Sequence, residues 1–181
     1  VWNLDVNYAQ GLTWFGADRD ADQVQKNLPQ AQFHKYRANL TQWRNGQWRT
    51  QPWQWQSQLS AQYSPDRLPA IEQLLGTDDS AVRGYRENSA SGAIGAVWRN
   101  TLRLPLNSDL PVKITPRLGL DNGWVKREHG APGQRLSGAS AGLNLSWKNV
   151  QLDVDYQRNL HTPTGFGQEP EVWLTRLSLQ I

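Results

Sequence analysis

Apolar and polar positions alternate one by one along most of this 181-residue chain. A period of two marks strands with one dry and one wet face, and the helical period of 3.6 is almost nowhere followed. Trp2, Leu4, Val6 and Tyr8 alternate with Asn3, Asp5 and Asn7. The pattern is clearest between Gln51 and Ser64, where Trp53, Trp55, Ser57, Leu59, Ala61 and Tyr63 oppose Gln54, Gln56, Gln58, Ser60 and Gln62. Ile94, Ala96, Trp98 and Leu102 then oppose Gly95, Arg99, Thr101 and Arg103, and Ile114, Leu118 and Leu120 oppose Lys113, Thr115, Arg117, Gly119 and Asp121. Ala141, Leu143, Leu145 and Trp147 face away from Ser140, Gly142, Asn144 and Ser146. Val150, Leu152, Val154 and Tyr156 face away from Gln151, Asp153, Asp155 and Gln157, and Trp173, Thr175, Leu177 and Leu179 from Leu174, Arg176 and Ser178.

Charges gather on one face of each strand and are nearly missing from the other. In lipid a midplane Arg or Lys costs about 2–4 kcal/mol, so a bilayer gives this segregation a physical cause. The wet face is rich in Gln, Ser and Asn rather than Lys and Glu, which suits the wall of a water-filled lumen better than the outside of a soluble sandwich. Connections alternate as well. Short turns are expected at Asn45-Gly46, a strong two-residue hairpin signal, at Asn107 to Leu110, and at Lys148-Asn149. Long polar loops are expected near 13–30, 65–90, 126–136 and 160–170. Short turns at one end and long loops at the other, around about eight strands, predict an all-β, antiparallel transmembrane barrel. The soluble sandwich is the lesser reading, because only a closed barrel satisfies its strand edges in lipid.

Composition fits this picture. Only 38% of residues are hydrophobic, yet barrel strands show lipid only every second residue. Ten Trp suit aromatic girdles at the two membrane interfaces. No run approaches the ~18 apolar residues of a membrane-spanning helix. Cysteine is absent, which excludes disulfides and thiolate metal sites. Nineteen Lys and Arg against sixteen Asp and Glu are too balanced to indicate nucleic acid.

Candidate catalytic groups are weak. Gly138-Ala139-Ser140-Ala141-Gly142 has the Gly-x-Ser-x-Gly pattern, but that motif needs a strand-to-helix turn and here it opens an alternating strand. Asp153 and Asp155 lie at period two on the wet face, as in a solvated channel wall. His34, His129 and His161 lack metal-ligand spacing. No phosphate-binding loop occurs. Neither an enzyme, nor a cofactor, nor a metal is expected.

The loop after Tyr63 contains Gly76-Thr77-Asp78-Asp79-Ser80-Ala81-Val82-Arg83-Gly84-Tyr85. Val-Arg-Gly followed by Phe or Tyr is the signature of a superfamily of outer-membrane assembly barrels. The chain resembles its two-partner-secretion branch, the transporters of the haemolysin-activator and filamentous-haemagglutinin-secretor type. Supporting matches are Gln62-Tyr63-Ser64-Pro65-Asp66-Arg67-Leu68-Pro69, Gly119-Leu120-Asp121-Asn122-Gly123, the stretch from Gly11-Leu12 to Gly16-Ala17, and Gln32-Phe33-His34-Lys35-Tyr36.

The resemblance implies that the loop of Val82, Arg83, Gly84 and Tyr85 folds into the lumen and that Arg83 reaches Asp121 on the inner wall. The alternation independently puts Asp121 on the wet face, with Gln54, Gln56, Gln58, Arg99, Arg103, Arg117, Asp153 and Asp155 as further lining. A guanidinium can grip a carboxylate through two parallel hydrogen bonds. The implied activity is passage of an unfolded exoprotein from periplasm to cell surface through a bacterial outer-membrane pore. The implied partners are that secreted protein, outer-membrane lipid, and the rest of the barrel with its periplasmic domains. Because the family barrel has about twice the strands counted here, residues 1–181 are expected to be its C-terminal half. The alternatives are a barrel that inserts other outer-membrane proteins, a lipid hydrolase built on Ser140, His161 and Asp155, and a simple porin.

Overall fold

A computed structural model describes residues 1–14, 20, 28–107 and 109–180. Its frame is one eight-stranded antiparallel sheet of β1 (Trp2–Gln10), β2 (His34–Trp48), β3 (Gln51–Tyr63), β6 (Ile94–Arg103), β7 (Lys113–Lys126), β8 (Gly133–Trp147), β9 (Val150–His161) and β10 (Val172–Leu179). Each strand pairs with its neighbour in sequence, and two short strands, β4 (Leu74–Leu75) and β5 (Ser91–Gly92), pair apart from the main sheet within the long β3–β6 loop.

The registers keep the two faces separate. Gln58, Arg99 and Asp121 stand side by side, as do Leu59, Trp98 and Asn122 one position along. Gln54, Gln56, Gln58, Arg99, Arg103, Arg117, Asp153 and Asp155 all share the Asp121 face. The opposite face exposes Leu4, Val6, Leu118, Leu143 and Leu177, far more apolar surface than a water-soluble monomer presents. At the long-loop end of that face Tyr8, Tyr36 and Tyr63 stand in register, with ring centroids 5.2 and 6.5 Å apart. Charges depart from the segregation near the strand ends: Arg44 lies on the outer face, 5.7 Å above the Trp55 ring, where its stem covers apolar surface and its head stays near the short-turn end, and Lys126, Arg135 and Arg158 share that face towards the long-loop end.

The hairpin expected at Asn45-Gly46 is displaced. Both residues lie inside β2, paired with Gln54 and Trp53, and the chain turns at Arg49 and Thr50, with Arg49 at φ 57°. Gly46 serves packing instead: a Cβ there would come within 2.3 Å of the Trp53 indole. The Lys148-Asn149 turn is found where expected, with Lys148 at φ 50°. The β6–β7 ladder continues past Arg103 through Leu104 and Leu106, and the expected turn includes Ser108, which lies outside the described residues. The loop expected over 126–136 is shorter, because β7 runs to Lys126 and β8 starts at Gly133. Most of the 13–30 loop and the Gly16-Ala17 match lie outside the described residues.

Candidate functional site

Residues 64–93 leave β3 and fold back over the Asp121 face of the sheet. Their seat is apolar. Val97 on β6, Val125 on β7 and Leu136 on β8 interrupt the polar face at the long-loop end, and Leu74, Ala81, Val82 and Ala90 of the loop pack on them with Tyr85 and Phe166 alongside. Val82 is fully buried.

Arg83 follows this anchor. Its Nε and Nη2 donate to the two oxygens of Asp121, both at 2.6 Å, in a parallel fork. The Arg83 backbone N–H also donates to Asp121, at 3.1 Å, as does the N–H of Asn100 at 3.4 Å. Nη2 further donates to the Asn100 carbonyl at 2.8 Å. Arg83 retains 8% exposure and Asp121 none. In so dry a place, removing either partner leaves a buried charge without its counter-charge.

The wall is shaped to receive the loop. A Cβ at Gly119 would fall 2.4 Å from the Arg83 guanidinium, one at Gly123 would fall 2.7 Å from Val82, and one at Gly138 would fall 1.9 Å from the Arg83 carbonyl oxygen. Gly84 takes φ 91°, which favours glycine, and passes against the backbone of Arg158. The Tyr85 hydroxyl donates to the carbonyls of Ser137 and His161, and its ring meets Phe166 edge-on at 6.3 Å. At the tip, Arg99 donates to the Asp79 carbonyl. Where the loop leaves the sheet, Glu72 pairs with Lys35 and accepts from Gln62 through its carbonyl.

Two contacts were not signalled by any motif. Glu169, in the β9–β10 loop, accepts from the backbone N–H groups of Arg86, Glu87 and Asn88 and from the Asn88 amide, at 2.7–3.0 Å. Burial alone would raise its pKa, but the hydrogen bonds from Glu87, Arg86 and Asn88 outweigh burial and hold it below the ordinary glutamate value. The sign then follows: the latch contributes fully above the unfolded value of about 4.3, and its contribution is lost as pH falls through the lower folded value. Hydrogen exchange on the full-length protein should therefore show constant protection of Arg86 to Asn88 at neutral and mildly acidic pH, and a loss below about pH 4. Glu169→Gln should abolish that step, and an unchanged step would assign it to another group. Nearer the short turns, Arg117 bridges Asp153 and Asp155, with Nη1 at 2.8 Å from the first and Nη2 at 2.6 Å from the second, while Arg103 donates to Gln56 at 3.0 Å.

The hydrolase constellation does not assemble. Ser140 lies on the inner face beside Gly119, whereas His161 pairs with Ser137 on the outer face and Asp155 is engaged by Arg117. Among the described residues no cluster of His, Cys, Asp or Glu has metal-binding geometry.

Residues 1–145 match the family model described as Haemolysin secretion/activation protein ShlB/FhaC/HecB. The chain belongs to that family. It is 36% identical over 156 residues to hemolysin transporter protein HpmB of Proteus mirabilis, covering 84% of this chain and 27% of that one. It is 37% identical over 154 residues to outer membrane transporter CdiB of Escherichia coli O6:K15:H31, covering 83% and 25%. Among solved structures, CdiB from Escherichia coli superposes with a TM-score of 0.86 at 28% identity, over 98% of this chain and 33% of that one. CdiB from Acinetobacter baumannii gives a TM-score of 0.69 at 25% identity, over 82% and 27%. The chain thus spans about a quarter of the length of these curated relatives. The eight strands are transmembrane barrel strands of the ShlB/FhaC/HecB type.

Proposed function

We propose that this chain forms part of the wall and the folded-in loop of an outer-membrane pore that passes an unfolded partner protein from the periplasm to the cell surface. The observation that carries the reading is the seating of residues 64–93 on the Asp121 face of the sheet, with Arg83 forked onto Asp121. A loop held by one buried ion pair on a glycine-smoothed wall keeps a wide lumen structured without filling it. The remaining inner face, rich in Gln, Asn, Ser and Thr, offers an extended backbone many weak and exchangeable hydrogen bonds. The relatives are named as hemolysin and outer membrane transporters, which supports export and the outer-membrane location. The pore works as a conduit and not as an enzyme. Folding of the emerging chain outside supplies direction.

We further infer that β1 and β10, unpaired on their outer sides in this sheet, join the remaining strands of a closed barrel, since an open edge is untenable in lipid. The test is secretion of the cognate partner by the full-length transporter carrying Arg83→Ala, with barrel folding followed by heat-modifiable gel migration. Breaking a buried pair costs about 3–5 kcal/mol, enough to shift the seated-to-unseated ratio more than about a hundredfold. Secretion should collapse while the barrel still folds. Normal secretion would remove the loop from the mechanism.

A further inference from the structure

The outer face carries a feature that neither export nor the loop uses. Between β6, β7, β8 and the end of β9 lies a groove of about 720 Å³. Its walls include the indoles of Trp98 and Trp124, and its polar lining is Asn122, Arg135, Ser137 and His161. Trp124 stands two residues before the end of β7, Arg135 two residues into β8, and His161 is the last residue of β9. The groove therefore sits at the long-loop end of the strands. In barrels of this kind that end is extracellular, so the groove opens on the outer leaflet.

Its chemistry is unusual for that face. The side chains of Asn122, Arg135, Ser137 and His161 have no hydrogen-bond or ion-pair partner among the described residues, and no carboxylate lines the groove. Lys126 projects from the same face, at the end of β7. Trp98 is held in place, because its Nε1 donates to Ser57 Oγ at 2.7 Å. Two flat indoles, a free guanidinium, an amide and a hydroxyl around one recess fit a ligand with apolar chains, ring hydroxyls and an anionic ester. Arginine's planar fork is the side chain suited to phosphate, and Trp suits a boundary where one end is apolar and the other wet.

We propose that this groove binds a phosphorylated glycolipid of the outer leaflet, of the lipid A class, with Arg135 on its phosphate and Trp98 and Trp124 along its sugar and acyl portions. The proposal rests on the outer-membrane reading for the leaflet it meets. Its readout is bound lipid, which is independent of whether the loop clamp supports secretion.

The experiment is native mass spectrometry of the full-length transporter in detergent, titrated with lipid A, with dephosphorylated lipid A, or with phosphatidylglycerol. Arg135→Ala should lower the lipid A-bound fraction about tenfold, the effect of one lost charge-assisted contact. Arg135→Lys should fall between, since it keeps charge and loses the fork. Trp124→Leu should weaken lipid A binding, and the wild-type protein should hold dephosphorylated lipid A no better than Arg135→Ala holds lipid A. Heat-modifiable migration identifies the folded protein, and should Arg135→Ala fail to fold, Arg135→Lys and Trp124→Leu carry the comparison. Lipid A binding that ignores Arg135 and Trp124 overturns the proposal. So does phosphatidylglycerol binding as tightly with the same Arg135 dependence, which would make the groove a general phosphate rim.

Discussion

Asp121→Ala should unseat the loop more completely than any other single change, and more completely than Arg83→Ala. The difference lies in what each substitution orphans. Removing Arg83 leaves a carboxylate that still accepts from the Asn100 N–H and from the backbone N–H of residue 83. Removing Asp121 leaves four donor groups without their acceptor: Nε, Nη2 and N–H of Arg83, and the N–H of Asn100. A guanidinium cannot neutralise itself by losing a proton near pH 7. An uncompensated buried charge costs about 3–5 kcal/mol. In the full-length protein, limited proteolysis of 64–93 and the loss of partner secretion should both rank Asp121→Ala above Arg83→Ala. A charge exchange, Arg83→Asp with Asp121→Arg, should not restore either, because the two backbone N–H groups would then point at a cation. Rescue by the exchange would mean that attraction alone holds the loop and that the backbone contacts are incidental.

Gly138→Val should separate the loop from the barrel. Glycine is a poor strand residue and valine a good one, so the substitution favours β8 itself. The same Cβ would stand 1.9 Å from the Arg83 carbonyl oxygen. That oxygen belongs to the backbone, so no rotamer change relieves the contact. The loop must retreat until the approach becomes an ordinary contact of at least 3.4 Å, and the fork on Asp121 cannot survive that shift. Overpacking of this kind typically costs about 1–3 kcal/mol and more where backbone is met. The expected result is a barrel that still shows heat-modifiable migration, a loop open to protease, and secretion reduced towards that of Arg83→Ala. Gly138→Ala should go the same way, since the first carbon already collides. Normal secretion by both variants would mean that the seated position is not the working one.

The strands were legible in the sequence because one face of each meets lipid and the other water, and that contrast writes itself as a period of two. The face of every expected lining residue followed from the same alternation. The Asn45-Gly46 turn misled for a physical reason: the pair has the composition of a hairpin turn, but Gly46 is small to admit the Trp53 ring. Residues that serve the loop were harder to read. Val97, Val125 and Leu136 are apolar at positions where the pattern calls for polar ones, so the loop's seat was visible as three exceptions clustered at one end of adjacent strands. Gly119 and Gly123 stood out only as part of a family match and Gly138 only as part of a serine motif, and it is the loop's approach that shows why each is glycine. Glu169 carried no signal at all. Three of its four donors are backbone N–H groups about eighty residues earlier, and backbone groups have no sequence identity to pair with.

The anchoring of the loop is lopsided. Its base meets Lys35 and Gln62 near the long-loop ends of β2 and β3, but Arg83, Tyr85 and the residues after them are fixed on β7, β8, β9 and the β9–β10 loop. Below the base, a recess of about 620 Å³ separates the loop from an uncovered stretch of wall that includes Arg37, Asn39, Thr41, Gln58 and Ser60. On the export reading proposed above, a chain in transit would meet this part of the wall as a polar gutter along β2 and β3, with the loop as its opposite bank.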